Sequence, residues 1–214
     1  MQRRDFFRLG ARKVAEAAYA SARDKAARQA ESWFRPPYAQ EEIDFLLLCT
    51  RCDACIDACP HEVLFRLPAR WGISVVSTPA MDLLNKGCHL CADWPCVSAC
   101  APGALAFPPN EESVKGDDID DAVGATKPPA LARARIDQSR CLPYSGPECG
   151  ACAHVCPVQG ALTWNGPKPL IVEEKCVGCG LCRQACIVDP SAVTVAPRRI
   201  NCADDAREVR HECP

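Results

Sequence analysis

Alanine and charge alternate through the opening of the chain. MQRRDFFRLG is followed by ARKVAEAAYASARDKAARQAE, with Lys13, Glu16, Arg23, Asp24, Lys25 and Arg28 spread along it. Alanine, arginine, lysine and glutamate are strong helix formers, so the pattern predicts a charged helix over residues 5–32, closed by the WFRPP turn at 33–37. Beyond it the apolar residues come in short bursts. FLLLC at 45–49 runs into the first of many cysteines, and VLF, ALAF, ALTW and AVTV follow Cys59, Cys100, Cys156 and Cys186 within a few residues. ISVV (73–76), ARARID (132–137) and LIVEEKC (170–176) precede later cysteine groups. Bursts this short predict small strands, and those on either side of GPKP (166–169) predict a hairpin. None approaches the ~18–20 apolar residues that a membrane-spanning helix needs.

The cysteines between the bursts change the picture. There are 18 in 214 residues, and three chemistries use them at such density: disulfides, zinc and iron–sulfur clusters. Spacing separates these. Cys49, Cys52, Cys55 and Cys59 in LLLCTRCDACIDACP follow C-x2-C-x2-C-x3-C-P. Zinc usually takes two C-x2-C pairs separated by a loop. Three thiols wrapped this tightly suit three corners of a cubane, with the cysteine before the proline ligating the other cluster of a pair. Disulfides would need an oxidising compartment, and neighbours this close would bridge with strained geometry.

The motif recurs. Cys88, Cys91, Cys96 and Cys100 read C-x2-C-x4-C-x3-C. Cys141, Cys149, Cys152 and Cys156 read C-x7-C-x2-C-x3-C-P, and Cys176, Cys179, Cys182 and Cys186 read C-x2-C-x2-C-x3-C. Sixteen of the 18 cysteines thus fall into four groups of four, which implies four [4Fe–4S] clusters. Gly178 and Gly180 lie between ligands, where backbone N–H groups must come close to cluster sulfide. The repeating unit of cysteine loop, short helix and hairpin predicts an α+β fold: two ferredoxin-like dicluster modules built around the clusters, with an N-terminal helical arm. Boundaries are expected at 1–37 for the arm, 38–200 for the four-motif region and 201–214 for a tail. Sequential pairing of motifs (first with second, third with fourth) and nested pairing (second with third, first with last) are both open to the spacing.

Composition fits such a chain. Aromatic residues are 6% and prolines number 19, so clusters replace much of a conventional core, and folding is expected to depend on them. Residues 109–129, PNEESVKGDDIDDAVGATKPP, carry six carboxylates and read as an acidic surface insertion. The formal net charge of −2 is uneven: residues 1–36 hold nine Lys/Arg against four Asp/Glu, so the remainder carries seven negative charges. That asymmetry suits a docking terminus. Arg3 and Arg4, with Phe6, Phe7 and Leu9, resemble a twin-arginine export signal, but charged residues follow where an apolar stretch of 7–15 is needed. The expected location is therefore cytoplasmic, with the periplasmic side the alternative. The arm reads either as a solvated helix or as a partner-binding element with Arg3, Arg4, Phe6, Phe7 and Arg8 at its tip. Cys202 and Cys213 match no motif and are expected to be free thiols. His89 and His154 sit inside motifs and are expected beside the clusters or on the surface, since histidine ligation belongs to Rieske spacing. No P-loop, no GxGxxG after a strand and no nucleophile elbow is present, and nothing points to nucleic acid. An electron carrier or accessory subunit is expected rather than an enzyme.

RPPYAQEEIDFLLLCTRCDACIDACP resembles the opening of the NapF-type ferredoxin-like proteins of periplasmic nitrate reductase systems. The remaining spacings are similar to the related NapG and MauM types. Cys100 is followed by Ala101, and Cys186 by Ile187, where the pattern has proline. The resemblance implies one of two roles. NapF-type members are cytoplasmic accessory proteins that associate with a catalytic molybdoenzyme. NapG-type members pass electrons from a membrane quinol-oxidising partner. The missing apolar stretch favours the first. The second motif, with WPC at 94–96, also resembles the iron–sulfur subunits of molybdopterin oxidoreductases, and that similarity favours nested pairing.

Overall fold

The structure, a computed structural model, describes residues 3–108 and 128–198, with side chains from Arg12 onward except Ala15. Helix α1 (Arg3–Ala30) forms where the alanine-rich pattern predicts it, within two residues at each end. It packs on α2 (Glu42–Leu48), where Tyr19 Oη donates to Asp44 Oδ1 at 3.1 Å and Arg23 meets Glu41 at 2.6 Å. Between these helices the chain turns inward. Trp33, Phe34 and Phe45 are buried, and Arg35 lies over the Phe45 ring, 4.5 Å from its centroid. The guanidinium is held by the buried Glu42 carboxylate, Thr78 Oγ1 (2.9 Å) and the Pro79 carbonyl (2.9 Å). One cation thus fastens the arm to the body.

Two lobes follow, each built from the same parts. In the first, a cysteine loop leads into α3 (Ala54–Asp57), then β1 (Leu64–Arg66) and β2 (Pro79–Met81) pair antiparallel with Leu64 opposite Met81. A second cysteine loop leads into α4 (Pro95–Ser98), which packs on α3. The chain then returns so that Leu105 bridges Ala39. In the second lobe β3 (Arg133–Ile136) precedes α5 (Leu142–Ser145), and the hairpin of β4 (Leu162–Asn165) and β5 (Lys168–Ile171) turns at Gly166–Pro167. Next come α6 (Leu181–Gln184) and β6 (Val193–Ala196), which pairs back onto β3 with Ala134 opposite Val195. Each lobe is an inner hairpin inside an outer pairing.

Two predicted strands are not formed. ISVV at 73–76 is a turn: Val76 N donates to Gly72 O, Ser77 N to Leu67 O, and Thr78 Oγ1 to Val75 O at 2.6 Å. Val75 is buried while Ile73 is 90% exposed, and the pairing strand begins only at Pro79. ALAF at 104–107 makes one bridge rather than a strand, because Pro36 and Pro37 on the opposing segment offer no amide hydrogens. The hydrophobic core runs continuously through both lobes. It joins Phe45, Leu64, Met81, Leu83, Trp94 and Leu105 to Leu131, Val177, Val193 and Val195, with Cys55, Cys96 and Cys179 buried among them. Among the described residues no helix is long and apolar enough to cross a membrane. Most of the acidic segment 109–129 and the tail 201–214 lie outside the described residues.

Candidate metal centres

Three cavities are each lined by four cysteines. One is lined by Cys59, Cys88, Cys91 and Cys96. A second is lined by Cys141, Cys149, Cys152 and Cys186, and a third by Cys156, Cys176, Cys179 and Cys182. The remaining four thiols also meet. Burial, then the charges of Cys100, Cys49 and Cys52, push the Cys55 thiol up to about 12. In each lobe, therefore, the fourth cysteine of one motif completes the set of the other. The first set is Cys49, Cys52, Cys55 and Cys100; the second is Cys88, Cys91, Cys96 and Cys59. The third is Cys141, Cys149, Cys152 and Cys186; the fourth is Cys176, Cys179, Cys182 and Cys156.

This pairing is sequential, and the nested arrangement favoured by resemblance to molybdopterin oxidoreductase subunits is not what the chain adopts. The reason is local. The hairpins are too short to carry the chain away from its own lobe, so α3 lies against α4 and the exchange is made between consecutive motifs.

The backbone around the sets is shaped for a negatively charged inorganic body. Arg51, Leu90 and Gly178, each just before the second cysteine of a motif, have φ of +59°, +50° and +71°. Asp53, Trp94 and Gly180, each two residues before the third cysteine, have φ of +64°, +44° and +82°. Left-handed residues at these places turn successive amide N–H groups into a concavity of the kind that holds iron–sulfur clusters. Four of the six positions hold residues with a side chain, which costs about 1–3 kcal/mol each and persists where surrounding structure fixes it. Gly178 is the position with no alternative, since a Cβ there would overlap the Ala132 carbonyl.

Amides also reach the sulfurs. Leu105 N donates to Cys100 Sγ at 3.3 Å. The backbone at Leu90, Gly178 and Leu181 hydrogen-bonds Cys88, Cys176 and Cys179, each lowering its thiol against burial. Cys186 is surrounded: burial raises its thiol, but the Ser191 hydroxyl and the backbone at Val188, Ala192 and Val193 outweigh it. The cavity walls are otherwise apolar, with Val158, Ile171 and Val177 in the fourth set and Ile136, Val188 and Val193 in the third.

The donor set fits iron–sulfur clusters better than single ions. Among the described residues no group of three His, Cys, Asp or Glu is gathered tightly enough for one metal ion. Instead, four thiols stand around a cavity. Burial, followed by the charges of neighbouring thiols, pushes Cys96 and Cys182 up to about 12, so as free groups they are neutral at physiological pH. A bound cationic centre reverses that and holds them as thiolates.

His154 is exposed and His89 lies beside the second set, on the surface. His89 stacks on His61 with ring centroids 3.6 Å apart and planes at 10°, and its pKa is lowered by burial and then by His61. His61 was not legible as a partner, because it follows Cys59 of the first motif; the exchange brings the two rings together. Ser191 and Thr50, which hydrogen-bonds Cys52, carry no motif signal either. Cys202, Cys213 and the side chains of Arg3, Arg4, Phe6, Phe7 and Arg8 lie outside the described residues.

Four-thiol cavities, left-handed ligand loops and paired small sheets define a ferredoxin-type iron–sulfur protein. Two 4Fe-4S binding domain families match the chain, over residues 46–65 and 167–186. The methylamine utilization ferredoxin-type protein MauM of Methylorubrum extorquens is 32% identical over 87% of this chain and 81% of its own. Ferredoxin-type protein NapG of Escherichia coli is 30% identical over 76% and 70%, and NapF of the same organism 30% over 78% and 87%. The chain belongs to this family of MauM, NapG and NapF ferredoxin-type proteins, and is a 4Fe-4S electron-transfer protein. No solved structure matches it.

Proposed function

We propose that the protein carries four [4Fe–4S] clusters, one per thiol set in two dicluster modules, and relays electrons to a molybdoenzyme such as nitrate reductase. The observation that carries this is the repetition: three cavities each lined by four cysteines, and a fourth set of the same composition. Each cluster, when bound, supplies one-electron exchange. The chain's own residues do the rest. Sixteen thiols hold the clusters, which leaves no iron site open to a substrate, so the protein acts as a carrier rather than an enzyme. Amides at left-handed positions stabilise charge on sulfur, and apolar walls keep water away.

The MauM and NapG relatives, ferredoxin-type proteins, support electron transfer, and the relay reading takes a membrane quinol-oxidising protein as the donor. The second reading is an accessory role at the molybdoenzyme, in which the charged surface of α1 binds the partner. We place the protein on the cytoplasmic side, on the charge that α1 carries after Arg3 and Arg4. Anaerobic purification with iron and acid-labile sulfide analysis comes first, and about sixteen irons per chain are expected. A value near eight sinks the four-cluster reading. Anaerobic capture of the tagged protein from fractionated host cells then separates the roles. A quinol-oxidising membrane protein among the partners supports the relay. A molybdoenzyme alone, with no electrons accepted from reduced clusters, supports the accessory role.

A further inference from the structure

Within the core shared by the two lobes, their backbones come together at a joint that lies between particular centres. Cys88 of the second set donates its amide to the carbonyl of Cys179 in the fourth set at 2.7 Å. On one side of this bond Gly87 N donates to Gln184 Oε1 at 2.7 Å. Gly87 is buried, and a Cβ there would stand 2.7 Å from the Leu181 backbone. On the other side Gly180 lies close under Leu83, where a Cβ would meet the Leu83 carbonyl at 3.1 Å. Arg183 closes the joint, with Nε to Leu84 O at 2.8 Å and Nη1 to Val193 O at 2.6 Å. Gly87, Cys88, Cys179 and Gly180 therefore form a backbone-to-backbone contact with no intervening side-chain layer.

The geometry points to an order of centres that differs from the order of motifs: one, two, four, three, with the Gly87–Cys88 and Cys179–Gly180 segments holding the second and fourth sets as neighbours. This rests on the four-cluster reading above. The exchange of Cys59 and Cys100 makes the first and second sets adjacent, and that of Cys156 and Cys186 does the same for the third and fourth. Electrostatics agrees with every link. Cys96 feels Cys55, Cys179 feels Cys88, and Cys182 feels Cys152. The first and third centres are then the ends of the row. The first is the one with an exposed ligand, Cys52, beside exposed Leu47 and Leu48.

Deleting single centres tests the order by electron paramagnetic resonance of fully reduced protein, with a low-potential one-electron reductant such as dithionite giving one electron to each cluster. Reduced neighbours broaden and split each other's signals, whereas a centre with no neighbour gives a sharp one. Cys176→Ala removes the fourth centre and Cys149→Ala the third, and each variant should lose about a quarter of its iron. With the order one, two, four, three, loss of the fourth centre strands the third. Cys176→Ala should then show a sharp signal of about one third of the remaining spins, and Cys149→Ala none. The reverse pattern, a sharp signal in both, or one in neither overturns the order. Should either deletion strip more iron than its own centre, Gly87→Val decides, since it leaves all sixteen ligands in place and wedges the joint. Full iron with the spectrum resolved into two separate coupled pairs supports the order; full iron with unchanged coupling overturns it. An intact protein with iron for fewer than four clusters is a failure of the functional reading instead, and it is seen before any variant is made.

Discussion

At the scale of single residues the grouping of the motif thiols was legible and the surroundings that tune them were not. Cysteine spacing names its ligands directly, because the loop between two corners of a cubane has few workable lengths. Gly178 and Gly180 were legible for the same reason, and both adopt positive φ. Arg51, Leu90, Asp53 and Trp94 take the same conformation without any signal in their residue type, since the surrounding loop imposes it. Ser191 was invisible too, yet its hydroxyl acts on Cys186. A donor to sulfur stabilises the more negative, reduced state, so it raises the reduction potential. Removing one such bond costs about 1 kcal/mol, equivalent to roughly 40 mV for a one-electron couple. Ser191→Ala should lower the potential of one centre by about that amount and leave the others in place. A redox titration followed by electron paramagnetic resonance reads this, and an unchanged or raised potential would refute the role given to Ser191.

At the scale of elements the short apolar bursts located the strands around the hairpin at 166–169 and those at 133–136 and 193–196, but not that the last two pair with each other. ISVV failed because periodicity cannot distinguish a strand from a tight turn that buries Val75 and exposes Ile73 and Ser74. The attachment of α1 was also hidden, because Arg35 in the WFRPP turn gives no sign that it will be buried against Glu42 and Thr78. This contact makes a prediction that ordinary surface pairs do not. With side chains 11% and 3% exposed, the pair leaves a stranded buried charge when either partner is removed. Arg35→Ala or Glu42→Ala should therefore cost about 3–5 kcal/mol. Arg23→Ala, which breaks the half-exposed pair with Glu41, should cost less than about 1 kcal/mol. Denaturant unfolding of the cluster-loaded variants gives the comparison. Equal losses from Arg35→Ala and Arg23→Ala would mean that the buried pair does not anchor the arm.

At the scale of the whole molecule, repetition of the motif pointed to a repeated architecture and was silent on how the motifs pair. Spacing constrains three corners of a centre, whereas the fourth depends on where the chain goes next. The core shows what the centres mean for stability. Its continuous apolar cluster includes Cys55, Cys96 and Cys179, and seven more of the motif cysteines, Cys49 and Cys186 among them, pack against it. Each cavity removed from solvent must be filled, because empty space in a core costs about 24 cal/mol per Å³ in stability. Emptied, the four-cysteine sites would also leave buried thiols where charged ligands belong. The pairings that remain are six strands of three or four residues, too short to hold two lobes together alone. Removing the clusters with an iron chelator under reducing conditions should therefore abolish the cooperative melt, collapse the far-ultraviolet signal of the lobes and open the chain to protease between residues 38 and 198. The helical signal of α1 is the part expected to persist. A chelated protein that still melts cooperatively, with its lobes protected, would show that side-chain packing alone suffices and that the centres are guests in a preformed fold.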